Sequence, residues 1–88
     1  MKIKNGFVVR EIAGQSIVVA LGEASKIFNG MIKLNETGRV IWDALVKGAE
    51  TEEIVEALLA EYDVDRETAA KDVEGFITTL TEANILEQ

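Results

Sequence analysis

The spacing of apolar and polar positions changes near residue 35 of this 88-residue chain. Upstream, apolar and β-branched residues cluster in short runs between turn formers, which is the pattern of β-strands. Downstream, apolar residues recur every three to four positions, which is the pattern of helices with one buried face. The sequence therefore predicts an amino-terminal sheet followed by helices.

The amino-terminal third predicts three short strands, at residues 7–12, 17–21 and 31–34. Ala13 to Gln15 is a short connection containing glycine, as a hairpin requires, and Asn29-Gly30 accepts the positive φ of a tight turn. Such short links favour an antiparallel meander. The third strand is expected at a sheet edge, where Lys33 opposes edge-to-edge aggregation.

Three helices are predicted from their capping residues. Asn35 has the side-chain oxygen of an N-cap, and Glu36 suits the positive end of the helix dipole. Lys47-Gly48 is expected to end this first helix, because glycine takes the capping conformation and lysine favours the negative end of the dipole. Thr51 is expected to cap the second helix and Asp65 the third.

Each predicted helix carries an apolar stripe, and the only tryptophan, Trp42, lies in the first. The stripes are Val40, Ile41, Trp42 and Leu45; Ile54, Val55, Leu58, Leu59 and Tyr62; and Ala69, Val73, Phe76, Ile77 and Leu80. The predicted fold is α+β and winged-helix-like, with a three-stranded antiparallel N-terminal sheet followed by a three-helix cluster. Residues 1–88 are expected to form one domain.

The net charge of -7 is divided unevenly along the chain. Residues 1–47 hold seven basic and four acidic side chains, whereas residues 48–88 hold two basic and twelve acidic ones. A winged-helix outline suggests DNA binding, but the predicted second and third helices offer only Arg66 and Lys71 as basic residues, and their acidic surface repels phosphate. A DNA-binding regulator is therefore the alternative function, and a purely structural interaction domain comes third.

The residue types needed for catalysis are scarce. The chain has no histidine and no cysteine, which removes the commonest base, the thiolate nucleophile and the soft metal ligands. Ser16 and Ser25 have no activating base, and the neighbouring carboxylates Glu52 and Glu53 diverge on a helix. We therefore expect no enzyme, no cofactor and no metal. The absence of cysteine, of an export signal and of a long apolar run fits a soluble protein of the cytoplasm.

The run from Leu34 to Leu45, LNETGRVIWDAL, resembles the signature of the family of coenzyme PQQ synthesis protein D, small peptide-binding modules called RiPP recognition elements. TEEIVEALLAEYDVD and DVEGFITTLTEANIL resemble the family's second and third helices, so that the resemblance spans about residues 7–86. Asn84 departs from the glycine of many relatives. Asparagine also takes the left-handed conformation that ends a helix, so the departure changes little.

The resemblance implies a peptide-binding adaptor without catalysis of its own. In the family, the leader of a precursor peptide binds as an extra strand beside the third strand, in the cleft with the third helix. A modifying enzyme then receives the peptide; in the PQQ branch this is a radical SAM protein. The resemblance leaves a homodimer open. By position, it implicates Met31, Ile32, Lys33, Leu34, Asp72, Gly75, Phe76 and Thr79.

Each implicated residue also has a purely structural interpretation. Residues 31–34 alternate between the two faces of a sheet, so any apolar member also suits the core. Phe76 lies centrally in its stripe, and Asp72 and Thr79 suit contact with water alone. Gly75 costs its helix about 1 kcal/mol relative to alanine, so it marks the close approach of a bound strand or of a neighbouring element.

Overall fold

The computed structural model describes residues 1–28 and 30–87. The chain order of strands and helices within this part confirms the α+β class and the change from sheet to helices. The strands are β1 Lys2–Ile3, β2 Phe7–Ile12, β3 Gln15–Ala20, β4 Ile32–Leu34 and β5 Leu86–Glu87. The helices are α1 Glu36–Val46, α2 Thr51–Glu61 and α3 Arg66–Glu82, and a 3-10 helix spans Gly22–Lys26.

The main sheet is the predicted antiparallel meander, with strand order β2-β3-β4. This order leaves β4 at one edge of the sheet. In the pairing of β3 with β4, Ser16 lies opposite Leu34, and Val18 lies opposite Ile32. Two boundaries differ from the prediction: β3 runs from Gln15 to Ala20, and Met31 lies outside β4. The expected Asn29-Gly30 turn includes Asn29, which lies outside the described residues.

The sequence pattern missed two short elements. β1 pairs with β5 in a separate antiparallel ribbon, in which Ile3 lies opposite Leu86. Two-residue strands are too short to show an alternating pattern, and their pairing joins residues from opposite ends of the chain. The 3-10 helix Gly22–Lys26 occupies the polar segment that was expected only to close the second strand.

The capping chemistry confirms the starts of α1 and α3. The Asn35 side chain accepts a 2.7 Å hydrogen bond from the Gly38 amide. Asp65 accepts a hydrogen bond of the same length, 2.7 Å, from the Thr68 amide. Each side chain thus satisfies one of the amides that the first helical turn leaves free. Local capping residues therefore fix where both helices begin.

The predicted cap of α2 is wrong by one residue. Glu50, not Thr51, is the N-cap, and its amide donates a 2.9 Å hydrogen bond to the Glu53 carboxylate. The Glu50 side chain in turn accepts from the Glu53 amide, which completes a capping box. Glutamate is not among the usual N-cap residues, so the pattern favoured Thr51.

At the helix ends, Gly48 (φ 84°) and Asn84 (φ 65°) take the predicted left-handed conformation.

The core lies between the inner face of the main sheet and the three helices. Trp42 is 2% exposed and lies among the buried members of all three apolar stripes. Phe76 and Ile77 are half-buried and pack against this core, so the core interpretation of Phe76 holds for part of its ring only. The fully buried large side chains include Val18, Ile41, Leu45, Ile54, Leu58, Val73, Leu80 and Ile85.

The cap of α3 predicts an acid-sensitive contribution to stability. The hydrogen bond from the Thr68 amide lowers the pKa of Asp65 below its ordinary value. A carboxyl with a lowered pKa in the folded state stabilises the fold above its unfolded-state pKa, and this contribution is lost as the pH falls through the folded-state value. We expect Asp65→Asn to show a smaller loss of unfolding free energy between pH 7 and pH 3 than the wild type, measured by urea denaturation.

The matched control is Asp63→Asn, which removes a carboxylate just before the cap of α3. Asp63 is exposed and lies outside the helix. An acid response of Asp65→Asn equal to that of the wild type would show that the cap contributes nothing that depends on ionisation.

Candidate peptide-binding edge and groove

The hairpin between β2 and β3 sets the direction of every main-chain group in the sheet. Its two-residue loop has positive φ at Ala13 (52°) and Gly14 (79°), the geometry of a type I′ turn. In such a hairpin the flanking pair, here Ile12 and Gln15, exchanges both main-chain hydrogen bonds. Gln15 therefore directs its N–H and C=O groups towards β2, and the residues that follow alternate.

This alternation leaves one residue of β4 with free main-chain groups. Ser16 and Val18 direct their N–H and C=O groups towards β4, where they lie opposite Leu34 and Ile32. Lys33, between these two, therefore directs its N–H and C=O groups away from β3. Within residues 1–28 and 30–87, no strand pairs with this side of β4. The edge thus offers one donor and one acceptor, both from Lys33.

The four helical residues implicated by the resemblance line one surface groove. This groove has a volume of ≈ 380 Å³ and lies between the first turns of α1 and the middle of α3. It begins at Asn35, the residue that follows β4. Its lining residues are Asn35, Thr37, Gly38, Ile41, Lys71, Asp72, Gly75, Phe76 and Thr79.

Gly38 connects this groove to the edge strand. Phe76 Cε1 lies 3.5 Å, and Leu34 Cδ2 3.6 Å, from the position that a Cβ on Gly38 would occupy. The missing side chain therefore lets α1 contact both β4 and α3. Gly38 was not predicted as a site residue, although a glycine in the first turn of a helix, where alanine is more favourable, is a usable signal.

Gly75 leaves an open space on α3. A Cβ placed on Gly75 would have no non-local atom of the described structure within 4 Å. Among the described residues, therefore, no neighbouring element approaches Gly75, which argues against the second of the two sequence interpretations. One turn along, Thr79 donates a 3.1 Å hydrogen bond to the Gly75 carbonyl, so its hydroxyl oxygen faces outward as an acceptor.

The implicated strand residues, 31–34, lie beside the groove and do not line it. Met31 is 69% exposed, whereas Ile32 is half-buried against the core and Leu34 is buried. Lys33 and Leu34 line a different cavity, which has a volume of ≈ 500 Å³. The hairpin tip and Arg39 are among the other residues that line this cavity. The candidate site is thus an edge with a groove next to it.

A polar cluster fastens the hairpin to α1 next to this site. The Arg39 guanidinium donates to the Glu11 carboxylate at 2.8 Å, to Asp43 at 3.2 Å and to the Ser16 hydroxyl at 3.1 Å. Ser16 also donates to Glu11, at 2.6 Å, and with Arg39 this bond lowers the pKa of the Glu11 carboxyl. The contacts join β2 and β3 to α1, from which the groove is built.

Both basic residues of the helical half are in ion pairs. Arg66 pairs with Glu56 and, at 3.6 Å, with Glu52. Lys71 pairs with Glu67 at 3.7 Å. In the described parts of α2 and α3, therefore, every basic side chain is paired with a carboxylate. Contacts to DNA phosphates would instead need basic side chains that are free to bind them.

No helix in residues 1–28 or 30–87 has both the length and the apolar character needed to cross a membrane. The same residues bring together no group of three potential metal ligands.

Comparisons with known proteins give one family and two similar solved structures. The family model of coenzyme PQQ synthesis protein D matches residues 10–86. A solved structure of TbiB1 in complex with the TbiA(beta) leader peptide has a TM-score of 0.80 and 33% identity, with 99% of this chain and 95% of that chain covered. A lasso peptide synthetase B1 complexed with a leader peptide has a TM-score of 0.76 and 21% identity, with 96% and 93% covered. No curated protein sequence matched.

The fold and the site define a RiPP recognition element, a small sheet with a free edge strand beside a groove on its third helix. The match over residues 10–86 places the chain more narrowly. It belongs to the family of coenzyme PQQ synthesis protein D, as the resemblance of three sequence blocks predicted.

Proposed function

We propose that this protein is a noncatalytic adaptor that binds the leader of a ribosomally made precursor peptide and presents it to a modifying enzyme. The observation that carries the proposal is the free N–H and C=O pair of Lys33, next to a groove that holds Asp72, Gly75, Phe76 and Thr79. The similar TbiB1 structure contains a bound leader peptide, which supports the same role here.

Binding proceeds by addition of a strand to the sheet. The leader pairs its backbone with Lys33, and the hydrogen bonds give affinity for any extended chain. Every second leader side chain then faces the groove on α3, where the half-buried Phe76 ring supplies apolar contact. Gly75 provides the room for the leader to approach α3 closely. Specificity therefore comes from the groove and main-chain affinity from the edge.

The adaptor works with a separate enzyme that makes the chemical change. Membership of the PQQ protein D family favours a radical SAM enzyme as that partner, and the likeness to TbiB1 keeps other peptide-modifying enzymes in view. We assign the adaptor to the cytoplasm, where precursor peptides are translated, and treat residues 1–88 as one domain. A homodimer is compatible with this role, provided that the β4 edge stays free.

A titration of a labelled leader peptide and of duplex DNA, each at two salt concentrations, tests the proposal. The leader is taken from the short precursor peptide that a search of the neighbouring genes identifies. We expect saturable leader binding that changes little with salt, because main-chain pairing and apolar contact dominate it. DNA binding by a winged-helix regulator would instead weaken steeply as salt rises and would depend on Arg66 and Lys71. DNA binding without leader binding would overturn the proposal.

A glycine substitution separates the needs of the fold from those of the ligand. Gly75→Ala should stabilise the protein by about 1 kcal/mol, because alanine favours a helix and its Cβ meets open space. The same methyl group lies where the leader approaches α3, so leader affinity should fall. Thermal unfolding and fluorescence anisotropy of the labelled leader measure the two effects.

Thr81→Ala is the matched control for this prediction. It also raises helix propensity on the exposed surface of α3, but Thr81 does not line the groove. The control should be stabilised with unchanged leader affinity. If Gly75→Ala also bound the leader as the wild type does, the leader would not approach α3 at this position.

A further inference from the structure

The face of the main sheet that points away from the helices carries an apolar surface. Strand alternation and the cross-strand register place its members on one side of the sheet. We call this surface the outer sheet face; it consists of Val8, Arg10, Ile12, Gln15, Ile17, Val19 and Lys33.

The outer sheet face is not used by the fold. Its apolar side chains, those of Val8, Ile12, Ile17 and Val19, belong neither to the core nor to the residues packed against it. Ile12 is 49% exposed, and the other three are half-buried in the described chain. Contiguous apolar residues on a sheet surface mark an interaction site more often than isolated ones do.

The charge of this face differs from that of the rest of the protein. Its two charged members are Arg10 and Lys33, and it has no carboxylate, although the whole chain has a net charge of -7. Neither cation is part of an ion pair among the described residues. Such a surface fits an apolar patch that is surrounded by carboxylates.

A second copy of this chain is a poor occupant. Two outer sheet faces packed together would bring the cations of one copy close to those of the other, which opposes association. If the outer sheet face packed against the acidic helices of a second copy, one copy would keep a free outer sheet face and the other a free helical surface. Such a head-to-tail contact extends into open chains. Charge and geometry thus favour a different protein.

The outer sheet face also ends at the edge where the leader pairs. Lys33 contributes its main-chain groups to the edge and its side chain to this face. A strand added at β4 would place every second leader side chain on the outer sheet face and so enlarge it. A protein docked there would contact the adaptor and the leader together.

We infer that the outer sheet face is the docking surface for the modifying enzyme, and that the bound leader completes this surface. The inference rests on the proposed function. It requires leader binding and enzyme binding to strengthen each other by the same factor, because coupling between two sites is reciprocal. An adaptor that carries a leader is then preferred by the enzyme over an empty one.

The test uses the full chain, the purified enzyme that modifies the cognate precursor, and the leader peptide. Arg10→Glu and Ile12→Thr change the outer sheet face on β2, far from the β4 edge. Lys26→Glu and Val64→Thr serve as controls. They make the same two kinds of change, basic to acidic and aliphatic to threonine, at exposed positions outside the outer sheet face. Biolayer interferometry gives the enzyme affinity with and without saturating leader, and anisotropy gives the leader affinity.

We expect both variants to bind the leader within about twofold of the wild type and to lose at least about tenfold in enzyme affinity. The controls should keep both affinities, and leader should tighten enzyme binding to the wild type. Unchanged enzyme affinity in both variants, an equal loss in the controls, or absence of coupling would overturn the inference. A dimer that Ile12→Thr dissociates would assign the face to a second copy and overturn it too. Failure of the wild type to bind leader would instead count against the proposed function.

Discussion

Lys33→Pro is expected to weaken leader binding by about 5- to 150-fold while the protein stays folded. Proline removes the one amide of β4 that the hairpin alternation directs to the free edge, and the leader carbonyl opposite it loses its partner. An unsatisfied group of this kind costs about 1 to 3 kcal/mol, which corresponds to the stated range. Anisotropy of a labelled leader measures the loss, and circular dichroism checks the fold.

Two neighbouring substitutions make this result interpretable. Lys33→Ala removes the side chain and keeps the amide, so most leader affinity should remain. Ile32→Pro removes an amide that faces Val18 within the sheet, so it should destabilise the fold itself. If Lys33→Pro were folded and bound leader as tightly as Lys33→Ala, the leader would not pair with this edge.

Trp42→Ala should lower the free energy of unfolding by about 3 to 5 kcal/mol, as truncation of a large buried aromatic residue does. Trp42 is 2% exposed within the core cluster, so its truncation is expected to leave a cavity there. A domain of this length has about 4 to 13 kcal/mol of total stability, so the loss removes a large share of it.

Urea denaturation followed by far-ultraviolet circular dichroism measures this effect, since the variant has no tryptophan fluorescence. Val46→Ala, on the same helix but 56% exposed, is the control and should change stability by less than about 0.5 kcal/mol. A loss below about 1 kcal/mol in Trp42→Ala would contradict a central role of this side chain in the core.

The parts of the fold that follow from local chemistry were predictable. Asn35 and Asp65 cap their helices, and Gly48 and Asn84 end theirs, as their side chains and conformational freedom indicate. The β1–β5 ribbon was not predictable, because it joins two-residue segments from opposite ends of the chain. Its formation depends on tertiary packing, which a local pattern does not record.

The candidate site also has one part that could be predicted from the sequence and one part that could not. The helical period, together with the family resemblance, placed Asp72, Gly75, Phe76 and Thr79 on one face, and these residues line one groove. The direction of the Lys33 amide could not be read from the sequence, since it depends on the length of the hairpin loop and on the register of two strand pairs. A shift of one residue would have reversed it.

The shortness of β4 determines how long a leader stays bound. A three-residue edge with one outward N–H and C=O pair gives the leader two main-chain hydrogen bonds there, each with a net contribution of about 0.5 to 1.5 kcal/mol. If the edge and the groove together give a micromolar affinity, an association rate of about 10⁶ M⁻¹s⁻¹ implies dissociation in about one second. Under the proposed function, one adaptor molecule would then deliver many precursor chains in succession, and a small amount of adaptor would supply a larger amount of enzyme.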